Sequence, residues 1–111
     1  MSHNTEFTWE IFINMVNNLS YKNTGKQLTR LEKELLKCYW NGITSPTSIF
    51  KILNEKRAEL NYYYNDNYFR IGLEPNLMKR LSEFIGKSVN KKNFKEVFKW
   101  IWERDNQANF S

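Results

Sequence analysis

The sequence has little of the residue types that build covalent cross-links, metal sites and phosphate-binding loops. Its 111 residues include one cysteine, Cys38, and one histidine, His3. These counts exclude a disulfide framework, a His/Cys metal site and a histidine-based catalytic triad. The four glycines, at positions 25, 42, 72 and 86, are dispersed and form no Gly-rich phosphate loop. We therefore expect a protein that is not an enzyme and has no metal, cofactor or small-molecule substrate.

Long apolar runs are also missing. No stretch approaches the length of a membrane span, and residues 1–14 contain acidic residues and no apolar run of the signal-peptide kind. The sequence predicts a cytoplasmic protein that makes no contact with a membrane. The expected organisation is a single helix-turn-helix domain over residues 1–111, because a chain of this length closes one core.

Two short helices with marked ends are the most informative feature that is present. Thr29 and Glu32 have the spacing of a capping box at the start of the first helix, and Gly42 can supply the left-handed residue that stops it. Ser45 and Pro46 have the order of a cap followed by a first helical position. Two capped helices joined by a few residues that include glycine predict a helix-turn-helix.

Helical periodicity along the rest of the chain predicts an all-α fold of about five helices. Their approximate ranges are 6–19, 30–39, 46–57, 75–85 and 91–104, the last capped by Asn90. Residues 58–71 are ambiguous, because Asn65, Asp66 and Asn67 can form the turn of a short β-hairpin around residues 60–71 or cap a helix that begins near Asn67. We prefer an extended loop followed by a helix. The expected shared core consists of Trp9, Phe12, Leu31, Leu35, Ile49, Leu53, Leu77, Leu81, Phe94 and Phe98.

Three further side chains have predicted environments. Cys38 is expected to be a small buried hydrophobe in a reducing compartment, rather than a reactive thiol. Trp100 and Trp102 are two residues apart on one predicted helix, so they point to different sides. One of the two is therefore expected to be at least partly exposed.

The order of these motifs resembles the helix-turn-helix domain at the N-terminus of vWA-MoxR-associated proteins. The likeness covers about residues 12–100, and its most specific segments are 24–32, 40–42, 77–86 and 90–94. The chain departs from the family pattern between residues 58 and 75, where it has extra residues and contains Gly72 and Pro75. The resemblance implies a helix-turn-helix fold and nucleic-acid binding, and it implies no enzyme chemistry. Domains of this family commonly precede signalling ATPases.

Positive charge is concentrated in the C-terminal third of the chain. Residues 70–104 contain nine basic and four acidic residues, whereas residues 1–69 are nearly balanced. A solvated lysine face would also explain this pattern. However, the basic segment follows the two capped helices, and this is where phosphate contacts are needed. The candidate nucleic-acid-binding residues are Asn67, Tyr68, Arg70, Asn76, Lys79 and Arg80 at the recognition element, with Lys91, Lys92 and Lys95 as flanking phosphate contacts.

Two functions follow from the sequence. The first is binding of duplex DNA with a regulatory role, by a homodimer or together with a partner chain. The alternative is a protein-interaction adaptor for a signalling ATPase system, in which an exposed tryptophan and the tyrosines at positions 62, 63, 64 and 68 bind a partner or a second copy. At least half of those tyrosines are expected to pack on the core instead. Salt separates the two functions, because phosphate-driven binding weakens steeply as salt rises.

Overall fold

The computed structural model describes residues 6–60 and 72–109, and the side chains of residues 6–59 and 72–105. Within these ranges every regular element is a helix, which confirms the predicted all-α class. The helices are α1 (Trp9–Thr24), α2 (Arg30–Trp40), α3 (Pro46–Glu55), α4 (Arg57–Leu60), α5 (Glu74–Ile85) and α6 (Phe94–Asn109). The extended loop preferred for residues 58–71 is wrong at residues 58–60, which belong to α4. The alternative hairpin turn, the cap near Asn67 and the tyrosines at positions 62, 63, 64 and 68 lie outside the described residues.

The capping box predicted at the start of α2 is formed. The Thr29 hydroxyl accepts a hydrogen bond from the Glu32 backbone N–H at 3.1 Å, and the Glu32 carboxylate accepts one from the Thr29 N–H at 2.9 Å. At the other end Gly42 has a φ of 84° and its N–H donates to the Tyr39 carbonyl at 3.0 Å. This helix therefore begins and ends where the sequence marks it.

Two of the predicted helix starts are wrong by about three residues. The first helix begins at Trp9 rather than at residue 6, because the Thr8 hydroxyl accepts a hydrogen bond from the Ile11 N–H at 3.3 Å and caps the helix there. The last begins at Phe94 rather than at residue 91. The side chain of Asn90, the predicted cap, accepts bonds from the backbone N–H groups of residues 92 and 93, so it caps the turn that precedes α6 rather than the helix itself.

Three other boundary predictions also need correction. The last helix continues to Asn109, beyond its predicted end at about residue 104. The first helix continues to Thr24, beyond its predicted end at residue 19, and stops at Gly25 with a φ of 75°. The third helix ends at Glu55 instead of continuing to residue 57. Ser45 occupies the N-cap position of α3 as predicted, but its side chain makes no capping hydrogen bond.

The core is one connected cluster, and Phe12 stands at its centre. Its ring lies 5.3 Å from the rings of Trp40, Phe94 and Phe98, so it joins α1 to α2 and α6. Eight of the ten predicted core residues are buried, while Trp9 and Leu31 are partly buried and pack against the cluster. The buried residues from the predicted list are Phe12, Leu35, Ile49, Leu53, Leu77, Leu81, Phe94 and Phe98.

The predicted burial of Cys38 and the predicted exposure of one of the two tryptophans are confirmed. Cys38 is buried, with 5% of its surface exposed. Trp100 is 48% exposed, whereas Trp102 is half-buried and its ring lies 5.4 Å from that of Phe7.

The connection between α5 and α6 is held in place by a side chain of α5. The Ser82 hydroxyl donates to the Met78 carbonyl at 2.9 Å and accepts a hydrogen bond from the Val89 N–H at 2.9 Å. Gly86 ends α5 with a φ of 70°, as predicted. This fixed connection sets where the basic start of α6 lies relative to α5.

Candidate nucleic-acid interface

Helix α5 presents a polar face opposite its buried stripe. Leu77, Met78 and Leu81 are buried, whereas Asn76 and Lys79 are exposed. Arg80 and Glu83 lie on the same polar face, Arg80 with part of its side chain covered. An open groove with a volume of about 450 Å³ runs along this face and is lined by Glu32, Leu73, Asn76, Leu77, Lys79, Arg80 and Glu83. The structure therefore brings the predicted residues Asn76, Lys79 and Arg80 together.

Arg80 is bound to the first turn of α2. One terminal nitrogen of its guanidinium, Nη2, forms an ion pair with Oε2 of Glu32. The Arg80 side chain is 38% exposed and that of Glu32 is 12% exposed. Burial lowers the pKa of the Arg80 guanidinium. Arg80, which the sequence predicts to contact a base, thus has Glu32 as a fixed acidic neighbour. The sequence interpretation gave Glu32 no role other than capping α2.

A second polar cluster connects the start of α5 to the turn between α2 and α3. Glu74, in the first turn of α5, accepts a short hydrogen bond from the Tyr39 hydroxyl of α2. Lys91 lies 3.5 Å from the other Glu74 oxygen and donates to the Thr44 carbonyl at 3.1 Å. Burial, and after it the hydrogen bond to Glu74, raises the pKa of Tyr39. We call Tyr39, Thr44, Glu74 and Lys91 the turn junction, because they connect α2, the turn after it, α5 and the approach to α6.

Lys95 makes a related contact at the end of α2. Its ammonium group donates to the Trp40 carbonyl at 3.4 Å and lies 4.1 Å from the centre of the Trp40 ring. A cation at this end of α2 is favourable because helix carbonyls give the C-terminus a partial negative charge. Of the three predicted flanking lysines, two therefore contact backbone carbonyls, while Lys92 is exposed.

A family model described as the vWA-MoxR associated protein N-terminal HTH matches residues 7–101. The chain belongs to this family. Comparisons with curated proteins and with solved structures give no match. The family assignment confirms the resemblance carried by the motifs, and the matched range includes α2, α3 and α5. None of the helices in the described ranges is long and apolar enough to cross a membrane.

The helix-turn-helix domain also has an exposed aromatic side chain on α6. The Trp100 ring has two cationic groups beside it, the Lys87 ammonium at 4.5 Å and the Arg104 guanidinium at 4.9 Å from its centre. A shallow depression of about 280 Å³ next to it is lined by Lys87, Glu96, Val97 and Trp100. The sequence predicted only that one tryptophan would be exposed. It did not predict that Lys87 would lie beside the ring, because the position of Lys87 depends on the path of the loop after α5.

Three of the predicted binding residues, Asn67, Tyr68 and Arg70, lie outside the described residues. Two residues that the sequence interpretation did not include in the site, Glu32 and Glu74, contact predicted site residues. Their partners Arg80 and Lys91 are distant in the chain, so no local spacing signals the contacts. Among the residues that the structure describes, no group of three or more His, Cys, Asp or Glu side chains is arranged to hold a metal ion.

Proposed function

We propose that this helix-turn-helix domain binds duplex nucleic acid, specifically duplex DNA, and that it acts without catalysis in a cytoplasmic regulatory role. In this proposal α2, α3 and α5 act as a three-helix form of the motif, in which the last helix, α5, enters the major groove and the preceding helices contact the backbone. The observation that carries the proposal is the common exposed face of Asn76, Lys79 and Arg80, on the helix that follows α2 and α3 in a helix-turn-helix family domain. Amide and guanidinium groups bond base edges, and ammonium groups bond phosphates.

Basic side chains at the start of α6 would extend the contact to flanking phosphates. Lys92 is exposed and is suited to this role. Lys91 and Lys95 also support it, because an ammonium group has three donors and one bond to a carbonyl leaves others for a phosphate. Asn67, Tyr68 and Arg70 remain proposed contacts just before α5.

Sequence-specific binding by this domain would need a second copy or a partner chain. A single small DNA-binding module buries about 600–1,000 Å² of protein surface, which is at the low end for specific recognition. Dimeric helix-turn-helix proteins overcome this limit by binding two half-sites about one helical turn apart. We expect the isolated domain to bind random duplex weakly.

A mobility-shift titration on a random-sequence duplex at two salt concentrations tests the proposal. We expect measurable binding at low salt and a decline in log K with log salt of about 0.9 per phosphate contacted. Absence of binding at low salt would contradict the proposal.

The exposed Trp100 surface favours a second candidate function, that of a protein-interaction adaptor for a signalling ATPase system. Aromatic side chains dominate the energetics of protein interfaces, and Trp100 lies beside a shallow apolar depression. Binding through this surface would depend only weakly on salt. Trp100→Ala would abolish it without changing the affinity for duplex.

A further inference from the structure

We propose that Glu32 is a positioning residue that fixes the Arg80 guanidinium so that its free edge contacts a guanine in the major groove. This inference rests on the proposed function and adds to it the base that α5 reads and the residue on α2 that controls the reading. It assigns Glu32 a role beyond capping α2.

Glu32 is held firmly enough to act in this way. One of its carboxylate oxygens accepts the Thr29 N–H at 2.9 Å, and the other binds Arg80. The side chain is 12% exposed, so it has little freedom to choose another geometry. An ion pair between two mobile surface side chains gains little because both must be ordered. Here the capping box has already ordered one of them.

The remaining donors of Arg80 match the acceptors of guanine. Nε is buried without a hydrogen-bond partner among the described residues, and Nη2 needs only one of its two hydrogens to bind Glu32. The edge formed by Nη1 and the second Nη2 hydrogen is therefore the one that can face a base, in a side chain that is 38% exposed. A guanidinium is planar, so fixing one edge fixes the direction of its other donors. Guanine O6 and N7 accept two such donors side by side, and this is the commonest specific arginine contact with DNA.

Asn76 extends the same surface by one turn of α5. It lies four residues before Arg80, which places it about 6 Å away along the helix axis, and it lines the same groove. This distance corresponds to about two base-pair steps, and an asparagine amide reads adenine. The geometry therefore favours a short site in which a guanine and a nearby adenine are both recognised.

A different role for Glu32 would be to compete with phosphate for Arg80. In that case removing its charge would raise affinity for every sequence alike. The positioning role instead requires a change in which bases are preferred. The two roles are thus distinguished by base preference, which a change in folding stability would not alter.

The test is selection from a randomised duplex library by the full chain and by three variants. Glu32→Gln removes the charge and keeps the capping box, because glutamine also serves at this position. Arg80→Lys keeps the positive charge and loses the planar fork. Thr29→Ala is the matched control, since it weakens the cap and leaves the backbone N–H that holds Glu32.

We expect the wild-type chain and Thr29→Ala, bound as two copies on neighbouring half-sites, to select one strongly preferred guanine in each half-site. Replacing that guanine by adenine should weaken wild-type binding about 5- to 140-fold, the range for one bidentate base contact. Glu32→Gln and Arg80→Lys should lose most of this preference at that one position, with other positions unchanged.

Two results would overturn the inference, and they can be told apart. If the wild type binds duplex and Glu32→Gln keeps the full guanine preference, the positioning role is wrong while the proposed function stands. If the wild type binds no duplex at low salt, the proposed function is wrong and the inference fails with it.

Discussion

Acidic side chains at helix starts have partners far away in the chain. Glu32 completes a capping box and also binds Arg80, while Glu74 begins α5 and binds both Tyr39 and Lys91. In each case one carboxylate stabilises the N-terminus of its own helix and also connects that helix to another element. A single substitution there therefore changes the local helix and the position of its neighbour together.

The Thr29 cap gives the simplest prediction at this scale. Thr29→Ala should lower the free energy of unfolding by about 1 kcal/mol, because the Glu32 N–H loses its hydrogen-bond acceptor. Urea denaturation measures the change. An unaltered midpoint would show that the cap contributes nothing to stability.

The buried tyrosine of the turn junction predicts a pH dependence. Burial raises the pKa of Tyr39 in the folded protein above its unfolded value of about 10. Below the unfolded value both states bind the proton, and stability is unaffected. As pH rises past about 10, the unfolded state loses its proton first, so stability declines by up to about 1.4 kcal/mol per pH unit.

Tyr39→Phe isolates this effect from that of the other tyrosines and lysines. The variant should lack part of the alkaline decline seen in the wild-type chain, as measured by urea unfolding between about pH 8 and pH 11. Parallel pH profiles for the two proteins would show that Tyr39 ionises equally in both states.

Individual elements were predictable where both ends carry local signals. Thr29, Glu32 and Gly42 define α2 from the sequence alone, and the phase of the apolar residues identifies the buried faces of α5 and α6. The start of α1 was misplaced because Thr8 is a cap without a glutamate or glutamine three residues later. The start of α6 was misplaced because residues 91–93 form a turn before the helix.

The site was predictable in part, because its residues share one face of one helix. The spacing of Asn76, Lys79 and Arg80 follows from the helical period. The contacts of Arg80 with Glu32 and of Lys91 with Thr44 are set by tertiary packing, which local spacing does not encode. The sequence therefore suggested which side chains line the face, but not which of them are already engaged.

Two adjacent lysines before α6 should behave differently as a consequence. Lys91→Ala should lower both stability and duplex affinity, because Lys91 bonds the Thr44 carbonyl and faces Glu74. Lys92→Ala removes the same charge from an exposed position and should lower affinity alone. Thermal unfolding and a mobility-shift titration of both variants measure the two effects. Equal stability of the two variants would mean that the Lys91 contacts do not support the fold.

The whole molecule combines a helical core with an uneven surface charge. Phe12, Trp40, Phe94 and Phe98 join three helices, and the packed helices carry the polar face of α5 on a rigid base. The chain has a formal net charge of +5, and the excess lies in the C-terminal third. Such a distribution attracts a polyanion to the elements of the C-terminal third, which include α5 and the start of α6.

The salt dependence of duplex binding by Lys79→Ala tests the central claim most directly. Lys79 is exposed on α5, whereas Lys22 is exposed on α1, so Lys22→Ala is a control with the same net charge. We predict that Lys79→Ala reduces the slope of log K against log salt by about 0.9 relative to the wild-type chain, and that Lys22→Ala leaves it unchanged. Equal slopes for all three proteins would contradict the claim that α5 contacts the duplex.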